Sequence, residues 1–285
     1  MSAIADAYIA ACLDELDALK PGNVHRHAEG HGMTAGDFET SARVSAPAIA
    51  RRGARVGVRV REAVAATRAA VGQNTNLGIV LLCAPLAAAA ERGEPLRDGL
   101  IATLDGLDLD DAREVFAAIV LANPGGLGSA ETHDVRAPAS IGLREAMIAA
   151  ADRDLVARQY ANGFAEVFGL GGAAYAASRA AGGSPAQAAQ AVYLTFLGAF
   201  PDSHIARKFG AETAEAVRRD AARRATALAG ASPASRAADL AAWDADLKGR
   251  GLNPGACADI TVATLFVAHL HPNATNGLPR PPNND

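Results

Sequence analysis

Apolar residues recur along this chain at intervals of three and four almost from end to end, and no segment alternates convincingly with a period of two. The first spacing keeps one face of an α-helix apolar, and the second would mark a half-buried strand. The pattern therefore predicts an all-α protein. Residues 4–19 read as a helix ended by Pro21-Gly22, and Thr34 with Asp37 reads as a cap and its partner opening a helix toward Ala50. Helices follow at 56–71, 110–122 and 143–151, and one from Leu155 should break at the glycine cluster 169–172. Ser184-Pro185-Ala186-Gln187 is a strong helix start, with a Ser cap, Pro at the first position and Gln at the third. Segments 210–228 and 232–248 carry many charges and read as surface helices. Segments 77–90 and 253–270 are apolar almost all round, so they should be central, with Pro85 kinking the first. The expected architecture is one compact multi-helix domain over residues 1–270. The Pro-, Asn- and Gly-rich residues 271–285 should form a disordered tail.

Both central helices are preceded by small, polar, turn-forming residues: Gly72-Gln73-Asn74-Thr75-Asn76-Leu77-Gly78 and Leu252-Asn253-Pro254-Gly255-Ala256-Cys257-Ala258-Asp259. The first turn of a helix leaves backbone N–H groups without intrahelical partners, and the helix dipole adds positive potential there. Two such starts suggest a site built from helix ends for a phosphorylated small molecule.

Composition narrows the picture. Half of the chain is hydrophobic and only 5% aromatic, which suits closely packed helices. With a formal net charge of −4 and no basic stripe, nucleic acid is not the expected partner. Arg51, Arg52, Arg55, Arg59 and Arg61 form one local basic run, read as a solvated helix face. Cys12, Cys83 and Cys257 have neither zinc-ligand nor disulfide spacing, the N-terminus lacks a signal-peptide pattern, and the apolar runs are too short for a membrane span. A soluble cytoplasmic protein without membrane association is expected. The pattern leaves a homo-oligomer open.

Candidate chemistry lies in a few polar segments. His25, His27 and His31 follow Lys20-Pro21-Gly22-Asn23, and an H-x-H pair on an extended loop can bind a metal. Lys20 could place an ammonium over phosphates. Glu131-Thr132-His133-Asp134-Val135-Arg136 sets an acid, an imidazole and a cation in a Gly-rich loop. In Pro201-Asp202-Ser203-His204-Ile205-Ala206-Arg207-Lys208, Asp202 is a natural cap. His204, Arg207 and Lys208 then fall in the first helical turns, where positive charge opposes the dipole unless an anion sits there. Asp259 lies in an otherwise apolar helix whose only other interior polar groups are Thr261 and Thr264. A buried carboxylate needs a partner or a task.

Taken in order, Lys20-Pro21-Gly22, Gly72-x-Asn74-Thr75, Asp202-Ser203 and Pro254-Gly255-x-x-Ala258-Asp259 resemble the triphosphoribosyl-dephospho-CoA synthase family. The resemblance implies an all-α enzyme that transfers a ribosyl group from ATP. A hydroxyl of dephospho-CoA displaces adenine from C1 of the ribose, and the triphosphate stays on the sugar. Where the family usually has His-Lys-Gly after Gly-x-Asn-Thr, this chain has Asn76-Leu77-Gly78, and Ser203-His204 stand where Thr-Asn is usual. The forms Asn-Thr-Asn-Leu-Gly and Pro-Asp-Ser-His-Ile-Ala-Arg-Lys are similar to a branch from methanogens and one-carbon-metabolising bacteria. That branch implies an alternative, phosphoribosyl transfer from phosphoribosyl pyrophosphate during tetrahydromethanopterin synthesis.

A transferase acting at C1 of a ribose phosphate must hold the donor phosphates, stabilise charge at C1 and deprotonate the acceptor hydroxyl. On this reading Lys20, Asn74, Thr75, Asn76, Arg207, Lys208 and Asn253 bind the phosphorylated donor. Asp202 and Asp259 hold Mg²⁺ or offset the sugar cation. His133 or His204 serves as base. Two rival readings are a metal-dependent hydrolase built on His25, His27 and His31, and a helical nucleotide-binding protein without chemistry.

Overall fold

The computed structural model describes residues 2–125, 133–228 and 230–271. Among them are fourteen α-helices and one π-helical turn, with extended pairing limited to two isolated bridges, His25 with Ala28 and Gly30 with Met33. The N-terminal half contains α1 (Ala3–Asp17), α2 (Ala35–Ile49), α3 (Val56–Val71), α4 (Leu77–Ala90), α5 (Leu96–Asp105) and α6 (Leu109–Ala122). After the 126–132 segment come α7 (Leu143–Ala150), α8 (Leu155–Asn162), the π-turn (Val167–Gly171) and α9 (Gly172–Ala180). The chain closes with α10 (Pro185–Ala199), α11 (Ser203–Phe209), α12 (Ala211–Ala227), α13 (Pro233–Gly249) and α14 (Gly255–Leu270).

The two segments that are apolar all round become the middle of the molecule. In α4, every residue except Gly78, Ala88 and Ala90 is buried, and α14 is buried from Ala256 to Phe266 apart from Asp259. The two helices pack on each other, α1 and α10 lie against α14, and α2, α3 and α6 form successive layers outward. One hydrophobic cluster runs through residues from α1 to α14. The expected caps are present as reciprocal boxes, Thr34 with Asp37 and Ser184 with Gln187. Pro85 sits inside a continuous α4. Proline cannot donate to the carbonyl four residues back, and that carbonyl, Leu81 O, accepts the Tyr160 hydroxyl of α8 at 2.6 Å.

Several expectations are corrected. Helix α5 has no counterpart in the sequence reading, because it is short, contains Gly99 and starts at Pro95 without a side-chain cap. The helix from Leu155 stops at Asn162, where Gly163 and Phe164 both take positive φ, before the π-turn. Arg59 is not on a solvated face: its guanidinium is buried, donating to Ile49 O, Ala54 O and Glu91. Its neighbours Arg51, Arg55 and Arg61 pair with Glu62, Asp108 with Asp111, and Glu114. The basic run is thus largely a set of inter-element ties. The disordered tail expected over 271–285 lies, beyond His271, outside the described residues. No described helix is long and apolar enough to cross a membrane.

Candidate active site

The start of α4 is built by side chains that turn inward. Gly72 ends α3 in the left-handed conformation, at φ 78°. Asn74 Oδ1 accepts the Leu77 N–H at 3.1 Å, the Thr75 hydroxyl meets that of Ser41 at 2.6 Å, and Asn76 Nδ2 donates to Ser45 Oγ at 3.3 Å. Ser45 in turn contacts the Tyr8 hydroxyl at 3.0 Å. Thr75 and Asn76 therefore pin the loop to α2. The N–H groups of Gly78 and Ile79 have no acceptor among the described residues, so the helix start is left open. Asp259 of α14 presses on this turn: a Cβ at residue 78 would lie 2.0 Å from Asp259 Oδ2, so any side chain there would displace the carboxylate. No described residue hydrogen-bonds or ion-pairs with the Asp259 carboxylate, and the carboxylate borders the main cavity. Burial, then the nearby Asp202, Glu15 and Asp154, push its pKa well above the usual carboxyl range.

The start of α14 is held more closely: the Gly255 N–H donates to Asn253 O at 2.8 Å and that of Cys257 to Asp202, which leaves only the Ala256 N–H of the first turn without an acceptor among the described residues. Asp202 Oδ1 accepts the N–H groups of His204 at 2.8 Å and Ile205 at 3.1 Å, and Oδ2 accepts that of Cys257 at 2.8 Å. One buried carboxylate thus caps α11 and joins it to α14. Burial raises the Asp202 pKa, while the three N–H donors pull it down. Asp202 does not border the cavity, and its oxygens are committed to backbone. It does not fit the expected magnesium pair with Asp259. Among the described residues no group of three or more His, Cys, Asp or Glu is arranged to hold a metal ion.

The cavity measures about 1030 Å³, at or beyond the upper end of single-ligand pockets, which run to roughly 1,000 Å³. Its floor holds a buried polar chain. Lys20, 1% exposed, contacts Glu15 and donates to Asn23 Oδ1 at 2.8 Å, and Asn23 Nδ2 donates to Asn253 Oδ1 at 2.8 Å. Glu15, Asn23 and Asn253 border the cavity and Lys20 lies behind them. Burial raises the Glu15 pKa and lowers that of Lys20, and their mutual contact opposes both shifts. The turn carrying Lys20 is fixed by α10, whose Tyr193 hydroxyl donates to Pro21 O at 2.7 Å.

Cations and one apolar wall complete the surface. Arg68, Arg153, Arg207 and Lys208 border it, and Arg207 pairs with Asp154 at 2.7 Å. Met33, Phe38, Val115, Phe116, Ile119 and Met147 supply the apolar side. Helix α11 is only seven residues long, so Arg207 and Lys208 fall in its last turn. The conflict with the dipole expected from sequence is therefore relieved by early termination. His204 is half-buried against Gly255. Burial, followed by Arg207, Lys208 and His31, lowers its pKa to about 4, so it is neutral near pH 7 and a weak base. His133 borders the cavity from an exposed position with φ 54°.

Of the residues singled out from sequence, Asn74, Thr75, Asn253, His133, His204, Arg207, Lys208 and Asp259 border one cavity. Lys20, Asn76 and Asp202 stand behind it as supports. The histidine trio forms no metal-ligand group among the described residues, although the rings of His25 and His27 lie 5.6 Å apart. His25 is buried against Asp244, His27 Nε2 lies 3.2 Å from Asp17 O, and His31 Nε2 lies 2.7 Å from Gly22 O. This removes the geometric basis for the metal-hydrolase reading. Glu15, Asn23, Arg68, Arg153 and Asp154 were not anticipated. Glu15 had a signal, since it falls on the α1 stripe of Tyr8, Ala11 and Cys12 and is a charge on an apolar face.

A family model described as ATP:dephospho-CoA triphosphoribosyl transferase matches residues 1–277. The chain belongs to this family. It is a transferase of the ribosyl type, as the resemblance implied. The chain is also similar to the crystal structure of an Archaeoglobus fulgidus protein described as a triphosphoribosyl-dephospho-CoA synthase. The identity is 26% and the TM-score 0.64, over 80% of this chain and 96% of that one. No curated protein matches the chain significantly. In this family member the motif residues Gly78 and Asp259 meet across α4 and α14 at the wall of this cavity.

Proposed function

We propose that the chain transfers the triphosphoribosyl group of ATP to a hydroxyl of dephospho-CoA, releasing adenine. The observation that carries this reading is Asp259: an unpaired, recessed carboxyl pressed on the open start of α4 within a cavity large enough for two substrates. The N–H groups of Gly78 and Ile79, at the cavity and without an acceptor among the described residues, suit a phosphate oxygen. Arg68, Arg153, Arg207 and Lys208 add the charge that a triphosphate needs. The apolar wall around Val115, Phe116 and Met147 suits the flat base or the acceptor's aliphatic arm.

Departure of adenine from C1 leaves positive charge on the sugar and negative charge on the base. A carboxyl of raised pKa can hand its proton to the departing base near neutral pH, then face the sugar as a carboxylate. Asp259 is suited to both tasks. Three buried, unpaired cysteines fit a reducing cytoplasm, where both substrates are found. One observation favours the narrower alternative: Leu77, not lysine, borders the cavity at the α4 start, which lightens the charge available to a triphosphate.

The test is product analysis. Incubation of the purified protein with ATP and dephospho-CoA should release adenine and yield the triphosphoribosyl adduct in equal amounts. Pyrophosphate release from phosphoribosyl pyrophosphate, with no adenine from ATP, would move the assignment to the tetrahydromethanopterin branch.

A further inference from the structure

Two of the carboxylates that border the cavity, Glu15 and Asp259, stand in opposite circumstances. Asp259 has no cationic partner among the described residues, whereas Glu15 contacts the ammonium of Lys20. Glu15 is 4% exposed and Lys20 is 1% exposed. Two charges withdrawn this far from water are costly, and an apolar pair of equal volume often stabilises as well or better. A purely structural role therefore gives little reason for the pair. The contact uses Oε1, and Oε2 has no donor among the described residues and is not sealed from solvent. Lys20 is itself fixed by Asn23, and Asn23 by Asn253, so the carboxylate cannot swing away cheaply.

We infer that Glu15 is the base of the reaction, taking the proton of the acceptor hydroxyl through Oε2 while Lys20 holds Oε1. The inference rests on the ribosyl-transfer reading above. Bonds and protons balance as follows. The hydroxyl proton passes to Glu15 as the oxygen bonds to C1. The C1–N bond breaks with its electron pair leaving on adenine, and adenine takes the proton of Asp259. Glu15 ends protonated and Asp259 ionised, and exchange with solvent restores both. The division follows from surroundings: burial pushes both carboxyl pKa values up, but the lysine against Glu15 opposes the rise and favours its charged form, whereas Asp259 has no such contact among the described residues and is the better proton donor. The titratable groups around Glu15 are Lys20, Cys12 on α1, Tyr193 on α10 and Asp259 on α14. Of the three histidines bordering the same space, His31 is held at Gly22 O, and His133 and His204 are thereby left to substrate contact.

The experiment compares Glu15→Ala and Glu15→Gln with the unaltered protein, following adenine release from ATP and dephospho-CoA. Both variants should lose about 10²–10⁴-fold in kcat, with the KM for ATP changed no more than a few-fold. Added formate should restore part of the rate of Glu15→Ala, because a small carboxylate can occupy the gap, and should leave Glu15→Gln unchanged. Glu15→Gln, which keeps the shape and an acceptor for Lys20, should also lose the rising acid limb of the pH–kcat profile. The inference is overturned if either variant keeps kcat within threefold, or if a cooperatively folded Glu15→Ala is not rescued. Should Glu15→Ala not fold, an unchanged acid limb in Glu15→Gln overturns it. Unaltered protein that releases no adenine overturns the reaction itself, and Glu15's part with it; active protein with an active Glu15→Gln overturns Glu15 alone.

Discussion

The starts of α4 and α14 look alike in sequence and are finished in opposite ways. Each follows an asparagine-containing turn and leads into an apolar helix. At α14 the orphan N–H of Cys257 is taken by Asp202, which also caps α11. At α4 the asparagine and threonine side chains support the turn, and the N–H groups of Gly78 and Ile79 have no acceptor among the described residues. The start of α14, capped by Asp202, keeps one N–H, that of Ala256, without an acceptor among the described residues; the start of α4 keeps two and offers more of its dipole to a ligand. The same contrast separates the two aspartates. Asp202 has three backbone donors and Asp259 has none among the described residues, so one is a strut and the other is available for chemistry.

The sharpest way to break this contrast is Asp259→Asn. Turnover should fall by up to about 10⁴-fold, measured as adenine release, while the fold is kept. Stability should move the other way. The folded pKa of Asp259 is raised, so the folded state binds more protons than the unfolded state between the two pKa values. Stability contributed by this group is therefore lost as pH rises through that window. Asp259→Asn should thus melt about 2–4 °C above the parent at neutral pH, corresponding to roughly 1 kcal/mol. The gain should vanish as pH falls toward about 4, the ordinary aspartate value. Full activity, or a lower melting temperature at pH 7, would contradict the assignment.

Next in size is Lys20→Ala. It leaves the Glu15 carboxylate buried without its cation, which should cost about 3–5 kcal/mol in denaturant unfolding. A loss below about 1 kcal/mol would show that the pair is solvated rather than dry. Asp202→Ala should cost about 1–3 kcal/mol, because two helix starts lose an acceptor together. The more telling variant is Asp202→Asn, which keeps one carbonyl acceptor and should retain at least about a tenth of turnover. If it were as inactive as Asp259→Asn, the two aspartates would not differ in kind. The smallest effect is expected at Asn74→Ala, where the lost cap should cost about 1 kcal/mol and raise the KM for the donor a few-fold.

Much of the fold was legible because helices are written locally. Three- and four-residue spacing marked most of them, and the Thr34 and Ser184 boxes were readable because cap and partner lie three residues apart. Helix α5 escaped because nothing local announces it, and Arg59 was misread because its acceptors, Ile49 O and Glu91, belong to other elements. The site was legible in part. A charge on an apolar stripe flagged Asp259, and the same criterion applied to α1 would have flagged Glu15. Arg68 and Arg153 had no such mark, since an arginine near a helix end is unremarkable until the cavity it borders is known.

The sequence by itself determined most of the helices, the Thr34 and Ser184 caps, the two central segments and several of the polar residues that had to find partners inside. Periodicity and capping act over a few residues, so the chain carries them without help. Only the tertiary structure decided which of those polar residues are partnered. Asp202 looks as available as Asp259 until the N–H of Cys257, 55 residues further on, is seen to occupy it. Lys20 looks like a phosphate ligand until Glu15 is found against it behind the cavity wall. Packing the chain assigns each buried donor and acceptor to a neighbour, and the carboxylates left facing the cavity without their full complement of donors are the ones free to react.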